Sequence, residues 1–400
     1  MTLAALRESI VATDHGVYMN TGWSGPSPEP VHATIGEYLL GESTVGAASI
    51  EGLRRAREAN ETAQAAVAAL LNAAPEEIIL THGTTEGVYV VLHGTTWREG
   101  DELVTCDLEH VALSAPAAVL EERHGVTVKR LAIPAAAAER EMIDLVAAAV
   151  GPRTRIVALS HVQYTCGLKM PVRAIADLAH AAGALLLVDG AQTAGQIPLD
   201  MRALGADFYA VSGQKWLLGP QATGALFVAR EQARAIEPLF TTHALADDRR
   251  LRAETALAPS PLSRFRLTAQ APALVAGLAR AIGLVQEIGS EAIEAHVNRL
   301  AARLRRGVAT IEGCAITGPT DPSVACGLVA VAIEGWEPRQ TVEALLSRGR
   351  ITARAVNQPP AVRFSTGAFN TEAEVDLVLE TLSAIARERP PVEAPAAADR

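Results

Sequence analysis

Over its first 260 residues the chain alternates short apolar runs with longer amphipathic stretches. The runs are Glu77–Thr81, Glu102–Asp107, Thr127–Ile133, Arg155–His161, Ala184–Asp189, Phe208–Ser212 and Ala225–Ala229. Most are near-continuous rather than alternating, the pattern of strands covered on both faces in a mostly parallel sheet. Between them, Ser49–Asn72 places Ile50, Leu53, Ala56, Ala63, Val67, Leu70 and Leu71 at helical spacing, and Val172–Ala182 also reads as a helix. Strands alternating with helices predict an α/β domain with right-handed crossovers. Past residue 260 an Ala/Leu-rich helical region, Ala269–Ile311, carries a break near Gly289. Strands Leu328–Ile333, Ile351–Ala355 and Val362–Phe364 follow, then a closing helix Glu372–Arg387. The expected organisation is an N-terminal segment, 1–25, near the active site; a large domain, 26–260; a connecting helix with a small C-terminal α/β domain, 261–389; and a Pro/Ala-rich tail, 390–400, expected to be disordered.

Composition narrows the function classes. The 400 residues are 49% hydrophobic and 20% charged, too apolar for a disordered chain and long enough for two domains. A net charge of −10 without a basic run argues against nucleic-acid or anionic-membrane partners. No run of 18 apolar residues predicts a membrane span, and Met1–Gly16 does not read as a signal peptide. Cys106, Cys166, Cys314 and Cys326 form no CxxC pair, so no zinc knuckle or disulfide framework is expected, and no metal. Free thiols suit a reducing, cytoplasmic setting.

Ligands of open α/β sheets sit at the carboxyl ends of the strands. Here those ends carry His82-Gly83-Thr84-Thr85-Glu86, Asp107-Leu108-Glu109-His110, Ser160-His161-Val162-Gln163-Tyr164, Asp189-Gly190-Ala191-Gln192 and Ser212-Gly213-Gln214-Lys215. Of the 35 basic residues only Lys129, Lys169 and Lys215 are lysine. Arginine stays protonated and forms no Schiff base, whereas a desolvated lysine can. Taken singly, each feature has a plain reading. Lys215 reads as a loop lysine, Asp189 as a helix N-cap, Thr84 and Thr85 as a capped helix start, His110 as structural and Arg363 as a surface charge. Each also has a chemical reading. Asp189 ends the most apolar strand and needs a cation, and Gly83-Thr84-Thr85 at a strand-to-helix turn suits a phosphate.

The combination resembles the class V aminotransferase family, in the cysteine desulfurase and isopenicillin N epimerase-like branch of the fold-type I pyridoxal phosphate enzymes. The resemblance rests on Gly83-Thr84-Thr85-Glu86, Asp189-Gly190-Ala191-Gln192 and Ser212-Gly213-Gln214-Lys215. It extends to Tyr18-Met19-Asn20-Thr21-Gly22 at the start and to Arg363-Phe364-Ser365 and Phe369-Asn370-Thr371 near the end. It implies a large domain with a mostly parallel seven-stranded sheet, a smaller C-terminal α/β domain, and pyridoxal 5'-phosphate as cofactor. By that resemblance Lys215 forms the Schiff base and moves the proton, Asp189 pairs with the pyridine nitrogen, and Gln192 meets the ring hydroxyl. Gly83, Thr84, Thr85 and Ser212 hold phosphate, and His110 stacks on the ring. Arg363, with Asn20 and Tyr164, binds the amino-acid substrate. Arg264-Phe265-Arg266-Leu267-Thr268 resembles a segment that reaches a neighbouring subunit's phosphate, which implies a homodimer with shared sites and adds Thr268 to the cofactor contacts.

Departures from the pattern point within the branch. A desulfurase carries a cysteine nucleophile shortly before the carboxylate-binding arginine. This chain has Arg354-Ala355-Val356-Asn357-Gln358-Pro359-Pro360 there. Gln214 replaces a common His, Tyr164 a common Asn, and Lys215-Trp216-Leu217-Leu218-Gly219-Pro220 is most similar to cystine C–S lyase-like and epimerase-like members. The resemblance therefore implies β-elimination from a cysteine- or cystine-type substrate through an external aldimine and quinonoid. Transamination and epimerisation are the alternatives, ahead of desulfuration.

Overall fold

The computed structural model describes residues 1–239, 261–265 and 271–388. Thr268, the Thr241–Arg250 loop and the 390–400 tail lie outside the described residues.

The strands in chain order are β1 (Val17–Tyr18), β2 (Ile78–Thr81), β3 (Glu102–Cys106), β4 (Thr127–Leu131), β5 (Thr154–Ser160), β6 (Leu185–Asp189), β7 (Phe208–Ser212) and β8 (Gly224–Val228). After them come β9 (Cys314–Ile316), β10 (Leu328–Ile333), β11 (Ile351–Thr352), β12 (Arg354–Asn357) and β13 (Pro360–Ser365). Seven form one sheet in the order β2-β8-β7-β6-β5-β3-β4, and only β8 runs against the others. This is the mostly parallel seven-stranded sheet expected from the apolar runs. Its central strands are largely apolar because alternate residues feed two cores. Val104, Val157, Leu159, Leu186 and Val188 pack on one side. Leu103, Ile156, Ala158, Leu187 and Phe208 pack on the other.

A four-stranded antiparallel sheet, β12-β13-β10-β9, has its own core of Val329, Val331, Val362 and Phe364 under the helix Glu372–Ala386. That helix starts at a capping box, in which Thr371 and Glu374 each satisfy the other's backbone N–H. The expected single strand Ile351–Ala355 divides here. Its first half, β11, pairs with β1 near the N-terminus, and its second half, β12, pairs with β13. The long helical region breaks at Gly289, whose φ of +94° suits glycine, into Pro272–Ile288 and Ser290–Val308 at an 80° bend. Among the described residues no single helix is long and apolar enough to cross a membrane.

One helical expectation is corrected. The helix Ile50–Leu71, capped by Ser49 Oγ on the Gly52 N–H, does bury Ala63, Val67, Leu70 and Leu71. Ile50 and Leu53, counted on the same face, are 91% and 61% exposed, because the inward stripe is set by the C-terminal half.

Candidate active site

The carboxyl ends of the central strands open into a cavity of about 540 Å³. Gly83, Thr84, Thr85, His110, Tyr164, Asp189, Gln192, Ser212 and Lys215 all reach its wall, although they come from five separate strand ends.

At one end of the cavity the helix Thr84–Gly94 begins at Gly83, which adopts φ +152° and leaves the first turn with no side-chain cap. The backbone N–H groups of a helix start attract anions. Thr84 Oγ1 is buried beside them with no hydrogen-bond partner among the described residues, and Thr85 and Ser212 bring further hydroxyls to the wall. Glu86, in the same turn, accepts the His82 N–H and contacts His82 Nδ1, both at 2.7 Å.

Asp189 closes β6 and is buried. Its Oδ1 accepts the Ala191 N–H at 2.9 Å. Among the described residues no cation hydrogen-bonds to it. Burial pushes its pKa up, and the charge of Lys215 pulls it back. Lys215 makes no side-chain hydrogen bond or ion pair among the described residues. Burial lowers its pKa to about 8; Asp189 opposes that shift, and the guanidinium groups of Arg363 and Arg354 reinforce it.

His110 is the N-cap of the helix Val111–His124, and its Nδ1 accepts the Ala112 N–H at 3.1 Å. That bond leaves the ring proton on Nε2. Burial first, then Lys215, Arg354 and Arg363, lowers its pKa to about 4, so the ring is neutral. Tyr164 stands edge-on to it, 4.9 Å between ring centres. Gln192 is held at both ends of its amide, donating from Nε2 to the Gly22 carbonyl at 2.8 Å and accepting from Trp216 Nε1 at 2.9 Å.

Arg363 is fully buried yet is not on the cavity wall. Nη1 donates to the Tyr164 carbonyl at 2.6 Å and Nη2 to Asn20 Oδ1 at 3.4 Å, while Nε has no partner among the described residues. No carboxylate pairs with it among the described residues, and burial lowers its pKa to about 9. The hairpin register places Arg354 directly opposite Arg363. Arg354 does reach the wall, its guanidinium 4.1 Å from the Trp23 ring centre and 5.6 Å from that of Tyr164. Sequence reasoning treated Arg354 only as filling the place of a cysteine; the available signal was a second arginine in a strand paired with that of Arg363.

All four cysteines are free, and none reaches the cavity wall. Cys106, Cys166 and Cys326 are buried, and Cys314 sits on the edge strand β9.

A profile of the Aminotransferase class-V family matches residues 17–378. A probable cysteine desulfurase from Methanothermobacter thermautotrophicus is 30% identical over 401 residues, covering 95% of this chain and 97% of the relative. Isopenicillin N epimerase from Streptomyces clavuligerus is 28% identical over 387 residues, covering 93% and 95%. A solved complex of the cystine C-S lyase C-DES with its product cysteine persulfide superposes with a TM-score of 0.86 at 25% identity, over 95% of this chain and 99% of that one. The profile match takes in both sheets and every described strand end that builds the cavity, and the chain belongs to the class-V aminotransferase family.

Proposed function

We propose that this protein is a pyridoxal phosphate-dependent lyase that cleaves the carbon–sulfur bond of a cystine-type amino acid. The residues present fit the cofactor. Thr84 Oγ1 lacks a partner among the described residues at an uncapped helix start, where Gly83, Thr85 and Ser212 complete a place for phosphate. Asp189 is a buried carboxylate in need of a cation, which a protonated ring nitrogen provides. Neutral His110 offers a flat face, and Gln192 Nε2 retains one proton for the ring hydroxyl. Once bound, the cofactor supplies an aldehyde for Schiff-base chemistry and a ring that takes up the electron pair released at Cα.

The chain's own residues do the rest. Lys215 has a depressed pKa and removes the Cα proton as its neutral amine. Arg363 and Arg354 attract the anionic ends of the substrate and, by their charge, help keep Lys215 neutral. Asn20 and Tyr164 hold Arg363 in place.

One observation carries the choice of reaction. The hairpin bears two arginines without carboxylate partners among the described residues, Arg354 on the cavity wall and Arg363 buried off it, and no thiol. A sulfur leaving group must then depart without an enzyme cysteine to receive it, and a substrate with two carboxylates, such as cystine, suits two guanidinium groups. The test is incubation of the holoenzyme with cystine, cysteine and a panel of other amino acids, reading pyruvate, sulfide, keto acid and enantiomer together. Pyruvate formed from cystine without an added keto acid is the expected result. A keto acid that retains the substrate's carbon skeleton would make the enzyme a transaminase, and an inverted enantiomer an epimerase.

We further propose a homodimer. Leu39, Leu40, Val45, Ile50 and Leu53 are exposed on or beside two successive helices, Glu29–Val45 and Ile50–Leu71. Such an apolar cluster on a surface marks an association site. The free thiols support a cytoplasmic location.

A further inference from the structure

Glu109 follows β3 and stands next to His110, and its carboxylate is buried. Oε1 accepts the Ser160 N–H at 2.9 Å, Gln163 Nε2 at 2.9 Å and the Cys106 thiol at 3.3 Å. Oε2 accepts the Ser160 hydroxyl at 2.5 Å. Every partner is a donor, which is the arrangement that stabilises an ionised carboxylate. No lysine or arginine pairs with Glu109 among the described residues. Ser160 itself lies on the cavity wall and is the register partner of Asp189 across β5 and β6. Two carboxylates thus converge at this end of the cavity, with Lys215 as the one lysine acting on Asp189.

We propose that Glu109 is a positioning residue for the cofactor: its ionised carboxylate, buried behind Ser160 and beside Asp189, is a second negative charge that keeps the ring nitrogen protonated. This rests on the reading that the cavity binds pyridoxal phosphate. The charge balance is the reason. When Lys215 carries the cofactor, its own proton is no longer dedicated to Asp189, and two buried carboxylates favour a cation at the ring more strongly than one. Burial raises the pKa of Glu109 above the ordinary carboxylate value and Asp189 adds to that rise, while the Ser160 and Gln163 donors oppose it and favour the ionised form. The other titratable groups on this cluster include Cys106, beside Glu109, Tyr209, beside Asp189, His161, whose Nδ1 meets the Tyr209 hydroxyl, and the neutral His110; burial raises the pKa of Cys106 and Tyr209 and lowers that of His161 to about 3, which keeps them neutral.

The holoenzyme is loaded with cofactor labelled with ¹⁵N in the ring, and the nitrogen signal is followed from pH 6 to 9. The wild type is expected to show a protonated ring nitrogen throughout. Glu109→Gln keeps the shape and removes the charge. Its ring nitrogen is expected to deprotonate within that window, a downward shift of about one pH unit or more. Ser160→Ala keeps the charge and both Gln163 and backbone donors on Oε1 but removes the hydroxyl donor on Oε2, so its midpoint should move in the same direction by less than that of Glu109→Gln. If Glu109→Gln does not fold, Gln163→Met carries the test: it removes a donor that favours the ionised form and should shift the midpoint in the same direction. A Glu109→Gln signal identical to wild type at every pH overturns the proposal. So does an equal shift in Ser160→Ala, which would assign the effect to wall geometry. Failure of the wild type to take up labelled cofactor would instead refute the reading of the cavity.

Discussion

Lys215 is the residue on which the chemistry turns. In the cofactor-free protein its labelling by an amine reagent should rise with pH around a midpoint near 8, where an ordinary lysine reacts only well above that. The sign follows from burial, which disfavours the charged form, so the reactive neutral amine is present at lower pH. Lys215→Ala should lower turnover by at least about a hundredfold without changing the fold, checked by circular dichroism. Arg363→Lys keeps a charge but not the planar fork, and its KM for the amino acid should rise by roughly tenfold or more, with a smaller effect on kcat. The thiols make a contrasting case. Replacing Cys166, Cys314 and Cys326 by Ala should leave most activity per folded, cofactor-loaded molecule, because none of them reaches the cavity. Loss of activity in Cys166→Ala or Cys326→Ala with the cofactor still bound would restore a cysteine nucleophile and the desulfurase reading.

At the scale of elements, the strand ends impose tight local packing. Gly190, one residue past β6, has no room for a side chain, since an added Cβ would lie 2.1 Å from Tyr209 Cε1. Gly190→Ala should cost about 1–3 kcal/mol in thermal or denaturant unfolding and tilt Asp189 as the backbone yields. The central strands were readable in the chain because two-sided burial leaves an unbroken apolar run, as in Leu185–Asp189. The motifs at their ends were readable because each lies within a few residues. What escaped notice depends on contacts between distant positions. The ring of donors around Glu109 comes from Ser160 and Gln163, more than fifty residues away. Arg354 needed the β12–β13 register, and the expected strand Ile351–Ala355 hid it by joining two strands that pair with different partners. Ile50 and Leu53 fit the helical period of residues that are buried farther along, so periodicity alone turned them inward.

At the scale of the whole molecule, those outward residues set the association prediction. Leu40→Glu combined with Leu53→Glu should convert a dimer to a monomer in light scattering while leaving the melting of each chain's core nearly unchanged, since both side chains are already exposed. A wild-type monomer that is fully active at high dilution would refute shared sites. The two sheets also divide the labour. Lys215 and Asp189 belong to the seven-stranded sheet, whereas both arginines belong to the four-stranded one, joined across the gap by the Arg363 bond to the Tyr164 carbonyl. A substrate whose amino group is held on one side and whose carboxylates are held on the other therefore acts as a strut. Its arrival should slow amide hydrogen exchange along β12 and β13, far more than along β5 and β6, which are paired on both sides, so that occupancy of the site is written into the breathing of the hairpin.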